Sequence, residues 1–579
     1  MFRKNLKHQQ PALISAASEL PEKQRKRLEN SWAGPFYREF FSRINEETFA
    51  VLYSEEASRP NVAVNVLVGL EGLKAGFGWS DQELYENYCY NLQVRYALGY
   101  DRLGDGDFEI RTLYYFRERL SQYNAEKGIN LLEKAFESIT DAQITALKVR
   151  TGMQRMDSTQ IASNIVSASR LQLLVEALQR VERILSETDQ VRLGETFAPY
   201  TRESAGHYTY RVKGKEAVQA HLQEIGQSIY ALLLDLKSAY GAEPAYQVLE
   251  RIFTENFNLV DSSPHPKDNT EITSGCLQSV DDLEATYRTK GTGHYKGYVA
   301  NIAETCDPEN PLQLITKVQV ASNNVDDSQL LAEALPNLKE RTGVETMMTD
   351  GGYGGESSDA SLQEQGVKLV QSAIRGLQPD PGQFHLSDFD LKSDSQAHPI
   401  TLTCPNGQTV IVTPTRTHNW QARFDPAICA ACPFQQVGRC PTKPQKRDPR
   451  YLLAFTPQEI LTAERRKDYL AHKGDAHNLR SAVEATMRSV KHAFPSGKLP
   501  VRGKFRVTCM TIASAAIINV RRIHRYRVAK TKWENEHKQT SQEQECAQSQ
   551  PDVSFFASLK AFLNGFTTPF SLQLLCLEG

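Results

Sequence analysis

The chain has 579 residues, 40% of them hydrophobic and 23% charged, enough for about two to four units with real cores. A net charge of −2 excludes a uniformly basic protein but leaves room for local basic surfaces. No run of about eighteen apolar residues is present, no apolar stretch follows MFRKNLKHQQPALIS, and ten cysteines are too sparse for a disulfide scaffold, so the expectation is a cytoplasmic protein without membrane contact.

Residues 1–145 read as a helical unit. Ser80 opens a capping box, SDQE, in which its hydroxyl and Glu83 can satisfy amides of the first helical turn. In RTLYYFRERL, Leu113, Phe116 and Leu120 share one helical face while Arg117 and Arg119 lie off it. An ordinary packing helix explains that pattern, and DNA contact is the alternative. From residue 146 the pattern turns to short strands. GMQRMDSTQIA predicts a strand with Asp157 near its middle. A helical stretch over 166–285 follows, then strand-like runs in HYKGYVANIAE and LQLITKVQVAS and a helix in DDSQLLAEALPNLKER. A short apolar strand in VETMMTDGGYGG ends at Asp350 and breaks at Gly351 and Gly352. The glycines lack the lysine and spacing of a phosphate loop, so ATP binding is not expected.

Residues 380–450 are rich in Pro, Gly, Asp and Cys and read as an inserted module. Cys404, Cys429, Cys432 and Cys440 provide one CxxC and two flanking thiols, three of them followed by proline. Four thiolates holding a structural zinc would fold such a polar insertion, and four free thiols are the alternative. Beyond it, Glu484 is the only acid between Arg480 and Lys532, a stretch with thirteen lysines and arginines. His477, Arg480, Glu484, Arg488 and Lys491 are spaced for one helical face, and Leu479, Val483, Met487, Val490 and Phe494 form an apolar stripe beside it. A carboxylate in such a field reads as a metal ligand within a phosphate-binding groove. A second helix follows in VTCMTIASAAIINVRRIHRYR. Residues 528–579 read as a polar linker and tail.

With the insertions removed, the order is strand, strand, strand, helix, strand, helix. That is the layout of an α/β, ribonuclease-H-like catalytic core over 146–527, in which the first and fourth strands are adjacent and parallel. Asp157 and Asp350 would then sit side by side with Glu484 above them. Three hard oxygen ligands suit a pair of divalent cations about 4 Å apart that stabilise both oxygens of an in-line phosphoryl displacement.

Over roughly residues 60–525, in RTLYYFRERL, RMDSTQIASNI, DGGYGG and HNLRSAVEATMRSVKHAFPSGKLPVRGKFRV, the chain resembles the DDE transposases of bacterial insertion sequences. One branch carries a Tyr, Arg, Glu, Lys signature. Arg480, Glu484 and Lys491 match it, and His477 stands where tyrosine is expected. The resemblance implies that Asp157, Asp350 and Glu484 hold Mg²⁺ or Mn²⁺. It implies that Arg480 and Lys491 touch DNA, with His477, Arg488, Lys498, Arg502, Lys504 and Arg506 as further candidate phosphate contacts. It further implies element-end binding by the N-terminal helices, cleavage that frees a 3′-hydroxyl, joining of that hydroxyl to target DNA, and a homodimer or larger synaptic complex. A non-catalytic, end-binding descendant and a metal-dependent nuclease of the same fold are the competing readings.

Overall fold

The computed structural model describes residues 2–543 except 11–14, 55, 57–59, 103, 167, 202–205, 207–210, 213, 374–379, 381, 395–397, 418, 446–447 and 473–480; side chains are described up to residue 536, that of His472 aside. The expected tail sequence FFASLKAFLNGF therefore lies outside the described residues.

The N-terminal quarter is helical, as its periodicity predicts. Helix α1 (Val64–Phe77) buries nearly every residue it contains, including Asn65 and Lys74. Ser80 and Glu83 form the expected reciprocal cap, with Ser80 N–H donating to Glu83 at 2.8 Å and Glu83 N–H to the Ser80 hydroxyl at 3.2 Å. In α2 (Arg111–Lys127), Leu113, Phe116 and Leu120 are the buried residues, as their spacing requires. Helix α3 (Leu131–Leu147) closes this layer.

The strand β1 (Met153–Ile161) begins the central sheet. Helices α4 (Arg170–Ile184), α5 (Lys215–Tyr240) and α6 (Pro244–Asn256) follow, and with residues such as Leu174, Ile225, Ile229 and Leu249 they enclose a core of their own. The chain then returns to the sheet through β2 (Thr286–Lys290), β3 (Gly293–Thr305) and β4 (Ile315–Ser322). Helix α7 (Asp327–Thr342) leads to β5 (Thr346–Thr349), and α8 (Glu356–Gln365) to β6 (Lys368–Gln371). Around β1 the order is β4-β3-β1-β5-β6. Strands β3 and β1 are antiparallel, while β5 and β6 run parallel to β1. This mixed α/β sheet is consistent with a ribonuclease-H-like domain.

A second six-stranded sheet is built from β7 (Asp390–Ser393), β8 (Pro399–Thr403), β9 (Thr409–Pro414), β10 (Trp420–Phe424), β11 (Lys443–Pro444) and β12 (Tyr451–Phe455). Its core is small, around Phe389, Leu402, Ala422, Phe424 and Phe455. Helices α9 (Pro457–His472), α10 (Ala482–His492) and α11 (Lys504–Glu543) complete the chain.

Two boundaries differ from the sequence expectation. Residues 1–145 do not close a core of their own. Trp32, Leu67, Leu70 and Phe136 belong to one cluster with Ile302, Ile315 and Val318 of the sheet, Val483 and Val490 of α10, and Ile517 of α11. The cause is α1: buried all round, it needs cover from the N-terminal helices on one side and α11 on the other. The second difference is α11, which continues to Glu543 through residues expected to form a linker.

Candidate active site

Asp157 lies in the middle of β1 and is 7% exposed. Residues 155, 157 and 159 alternate onto one face of the strand. Arg155 pairs with Met348 across the parallel β1–β5 ladder, so the same register carried two residues on sets Asp157 level with Asp350. Asp350 directly follows β5, where its carboxylate accepts from Gly352 N–H at 2.8 Å and caps a short turn, Gly351–Tyr353. The DGG break thus has a local explanation: the aspartate turns the chain at the strand's carboxyl end. Asp157 Oδ1 accepts from Ser158 N–H at 2.9 Å.

A third aspartate, which the sequence reading passed over, joins this pair. Asp327 opens α7 immediately after the cap residue Asp326. A Cβ on Gly352 would stand 3.0 Å from Asp327 Oδ2 and 3.0 Å from Asp350 Oδ1, so both carboxylates approach this glycine more closely than ordinary contact with a larger residue allows. Asp327 Oδ1 is buried with no hydrogen-bond partner among the described residues. Burial pushes its carboxyl up; Ser158 and Arg288 oppose that, and Asp350 adds to it. The buried phenol of Tyr353 reports the same field. It is raised by burial first, then by Asp327, Asp157 and Asp350 together. The Asp-Asp doublet ahead of a helix was the available sequence signal, but such doublets ordinarily serve as caps.

Helix α10 packs over β1 and α11. Val483, Met487 and Val490 are buried, as the apolar stripe predicts. Glu484 is exposed in the first turn, where a carboxylate suits the helix dipole. The helix begins at Ala482, later than expected, and His477 and Arg480 lie outside the described residues. Lys491 Nζ donates to Thr159 Oγ1 at 2.6 Å, and burial lowers its pKa. Lys498 Nζ donates to the Ile165 carbonyl at 2.6 Å, and Arg502 pairs with Asp281 at 2.8 Å. Arg488, Lys504 and Arg506 are exposed. The basic stretch is less free of acids than its sequence implies, because distant carboxylates reach it. Besides Arg502, Arg522 pairs with Glu304 and Arg527 with Glu39.

The structure therefore brings Asp157 and Asp350 together and adds Asp327. Among the described residues, no three His, Cys, Asp or Glu side chains stand in a ready metal-holding group, so Glu484 is not assembled with the aspartates into one. The donor chemistry nevertheless fits a hard cation: oxygen ligands, with one carboxylate oxygen buried and lacking a partner.

The cysteine module places Cys404, Cys429, Cys432 and Cys440 around one pocket. Cys404 precedes a turn at Gly407, whose φ is +86°, and Cys432 N–H donates to the Cys429 carbonyl at 3.1 Å. All four are free thiols. Cys429 is pushed up to about 11 by burial and by Cys440, Cys404 and Cys432. As they stand, the thiols too fall short of a ready metal-holding group.

Residues 403–524 match the family model described as a transposase DDE domain. The matched segment contains the four cysteines and Glu484 but neither Asp157 nor Asp350, and it spans less than a quarter of the chain. It supports a DDE transposase family and a transposase function, which implies DNA binding. No curated protein and no solved structure matches the chain.

Proposed function

We propose that the chain is a metal-dependent DNA transposase that cuts at the ends of its own insertion sequence and joins the freed 3′-hydroxyl to target DNA. The observation that carries this reading is the parallel β1–β5 pairing, whose register, carried past Arg155 and Met348, brings Asp157 on β1 beside Asp350 just after β5, in a chain whose later segment matches a DDE domain. Asp157, Asp350 and Glu484 would hold the Mg²⁺ or Mn²⁺. Bound there, the metal supplies charge neutralisation at the attacking and leaving oxygens of the phosphodiester. The chain's own groups do the rest. Asp157 and Asp350 are held by their strand and turn. Arg488, Lys504 and Arg506 present cations to solvent and would position the backbone without reading bases. His477 and Arg480 would extend that contact. Lys491 is engaged with Thr159, and its contribution to DNA binding requires that bond to exchange for a phosphate.

The partner is double-stranded DNA, and two ends handled together call for a dimer or larger complex. No helix among the described residues is long and apolar enough to cross a membrane, which suits a nucleoid-associated enzyme of the cytoplasm. For the cysteine module we propose one structural zinc, since four thiols, two of them from one CxxC turn, line one pocket beside a small core. Closing them to ligand distance is the rearrangement that binding demands.

Asp157→Asn, Asp350→Asn and Glu484→Gln, assayed separately on DNA carrying the element's ends, should each abolish cleavage while leaving DNA affinity largely intact. Retained cleavage in any one removes that residue from the site.

A further inference from the structure

One contact ties α10 to the strand that carries Asp157, a second ties it to the neighbouring strand β3, and along β1 the two fall on either side of Asp157. Toward the strand's end, Lys491 reaches Thr159. Toward its start, Thr486 reaches Glu304, the residue paired with Arg155 across the β1–β3 ladder. Asp157 lies between the two contacts on the same strand face.

The Glu304 contact is unusual in its depth. The residue is fully buried, Thr486 is 1% exposed and Arg155 is 7% exposed. Arg155 grips Glu304 Oε1 through Nε at 2.7 Å and Nη2 at 2.6 Å. Thr486 donates to Oε2 at 2.8 Å, and Arg522 of α11 reaches the same oxygen at 2.7 Å. Arg522 also donates to the Thr486 hydroxyl, closing the ring. Burial would raise the Glu304 carboxyl, but Arg522, Arg155 and Thr486 hold it below the usual range. One carboxylate thus joins β1, β3, α10 and α11.

Such a buried ionic group is a poor source of stability, since well-packed apolar residues commonly do as well. Its value lies in direction. Apolar contacts of Val483, Met487 and Val490 let a helix slide, whereas a hydroxyl bonded to a fixed carboxylate sets its register. Thr486 is two residues from Glu484 and Arg155 two residues from Asp157.

We propose that Glu304 is a positioning residue for catalysis: through Thr486 and Arg155 it fixes the Glu484 helix relative to the Asp157 strand. This rests on the function proposed above, in which Glu484 and Asp157 act on the same metals.

The test compares wild type, Thr486→Val and Thr486→Ser in the full chain. Each is assayed for cleavage of DNA bearing the element's ends across a Mg²⁺ titration, for DNA affinity and for thermal unfolding. Valine keeps the shape and loses the hydroxyl; serine restores it. The expected result for Thr486→Val is cleavage lower by about 10–100-fold, a higher Mg²⁺ requirement, and unchanged DNA affinity. Thr486→Ser should recover most of the rate. Cleavage by Thr486→Val within about twofold of wild type at every Mg²⁺ concentration would overturn the proposal. So would a loss of rate that tracks a loss of folded protein and is not rescued by serine. Failure of the wild type itself to cut would instead sink the transposase reading, so the two failures are separable.

Discussion

Gly352 shows how much of the site is decided by single residues. A Cβ there would crowd both the Asp327 and the Asp350 carboxylates, at 3.0 Å from each. Gly352→Ala should therefore push those side chains apart and slow cleavage by more than it lowers stability, read by cleavage rate beside thermal unfolding; equal rates would show that this close approach is not used. Arg117 makes the complementary case. It pairs with Glu71 at 2.7 Å and Asp81 at 2.8 Å, inside the N-terminal layer. Its truncation leaves Glu71, whose side chain is 12% exposed, without its partner. Arg117→Ala should cost about 3 kcal/mol in chemical denaturation, and a change below about 0.5 kcal/mol would contradict the pairing. At this scale the sequence showed Asp157 on a strand and Asp350 at a strand end, because alternation and a Gly-Gly break mark both positions. It could not show Asp327, whose partners arrive from other elements, nor that Arg117 is a packing cation, since Glu71 lies 46 residues away.

Helix α10 was legible from Val483, Met487 and Val490, whose spacing demands one buried stripe. Its start was not, since periodicity alone does not mark the first turn when the Ser481 side chain does not cap it. Its end is fixed from a distance. Gly78, with φ of +71°, lies so close to Ala493 that an added Cβ would collide with that carbonyl oxygen. Gly78→Ala should destabilise the chain by about 1–2 kcal/mol from the left-handed backbone alone, with the collision adding to it; unchanged unfolding would show that α10's exit can move. The composition of the cysteine-rich segment gives no sign of the six strands it forms. They are short and mostly half exposed, as in β9, so no clean alternation survives. Elemental analysis of purified protein should find about one zinc per chain, with Cys429→Ser lowering it; metal-free protein with an intact module would favour the thiols as ordinary side chains.

Across the whole molecule, the helical N-terminal layer, the sheet and the C-terminal helices share one apolar cluster. A helical unit over 1–145 was the sequence expectation because helices there give way to strands near residue 150. Composition shifts reveal such a change in element type but not which cores merge. The consequence is mechanical: the N-terminal helices are coupled through that shared core to the sheet that carries Asp157. The glutamate helix and the strand aspartates come from segments more than 100 residues apart in sequence, and their convergence is the claim on which the functional account stands. The most direct measurement is incubation of wild type and Glu484→Gln with supercoiled DNA carrying the element's own ends, with Mg²⁺ or Mn²⁺ and without metal. The account predicts metal-dependent cutting by the wild type alone, leaving 3′-hydroxyls at the element boundary. Binding of the ends without cutting under either metal would contradict it and mark the chain as an end-binding protein.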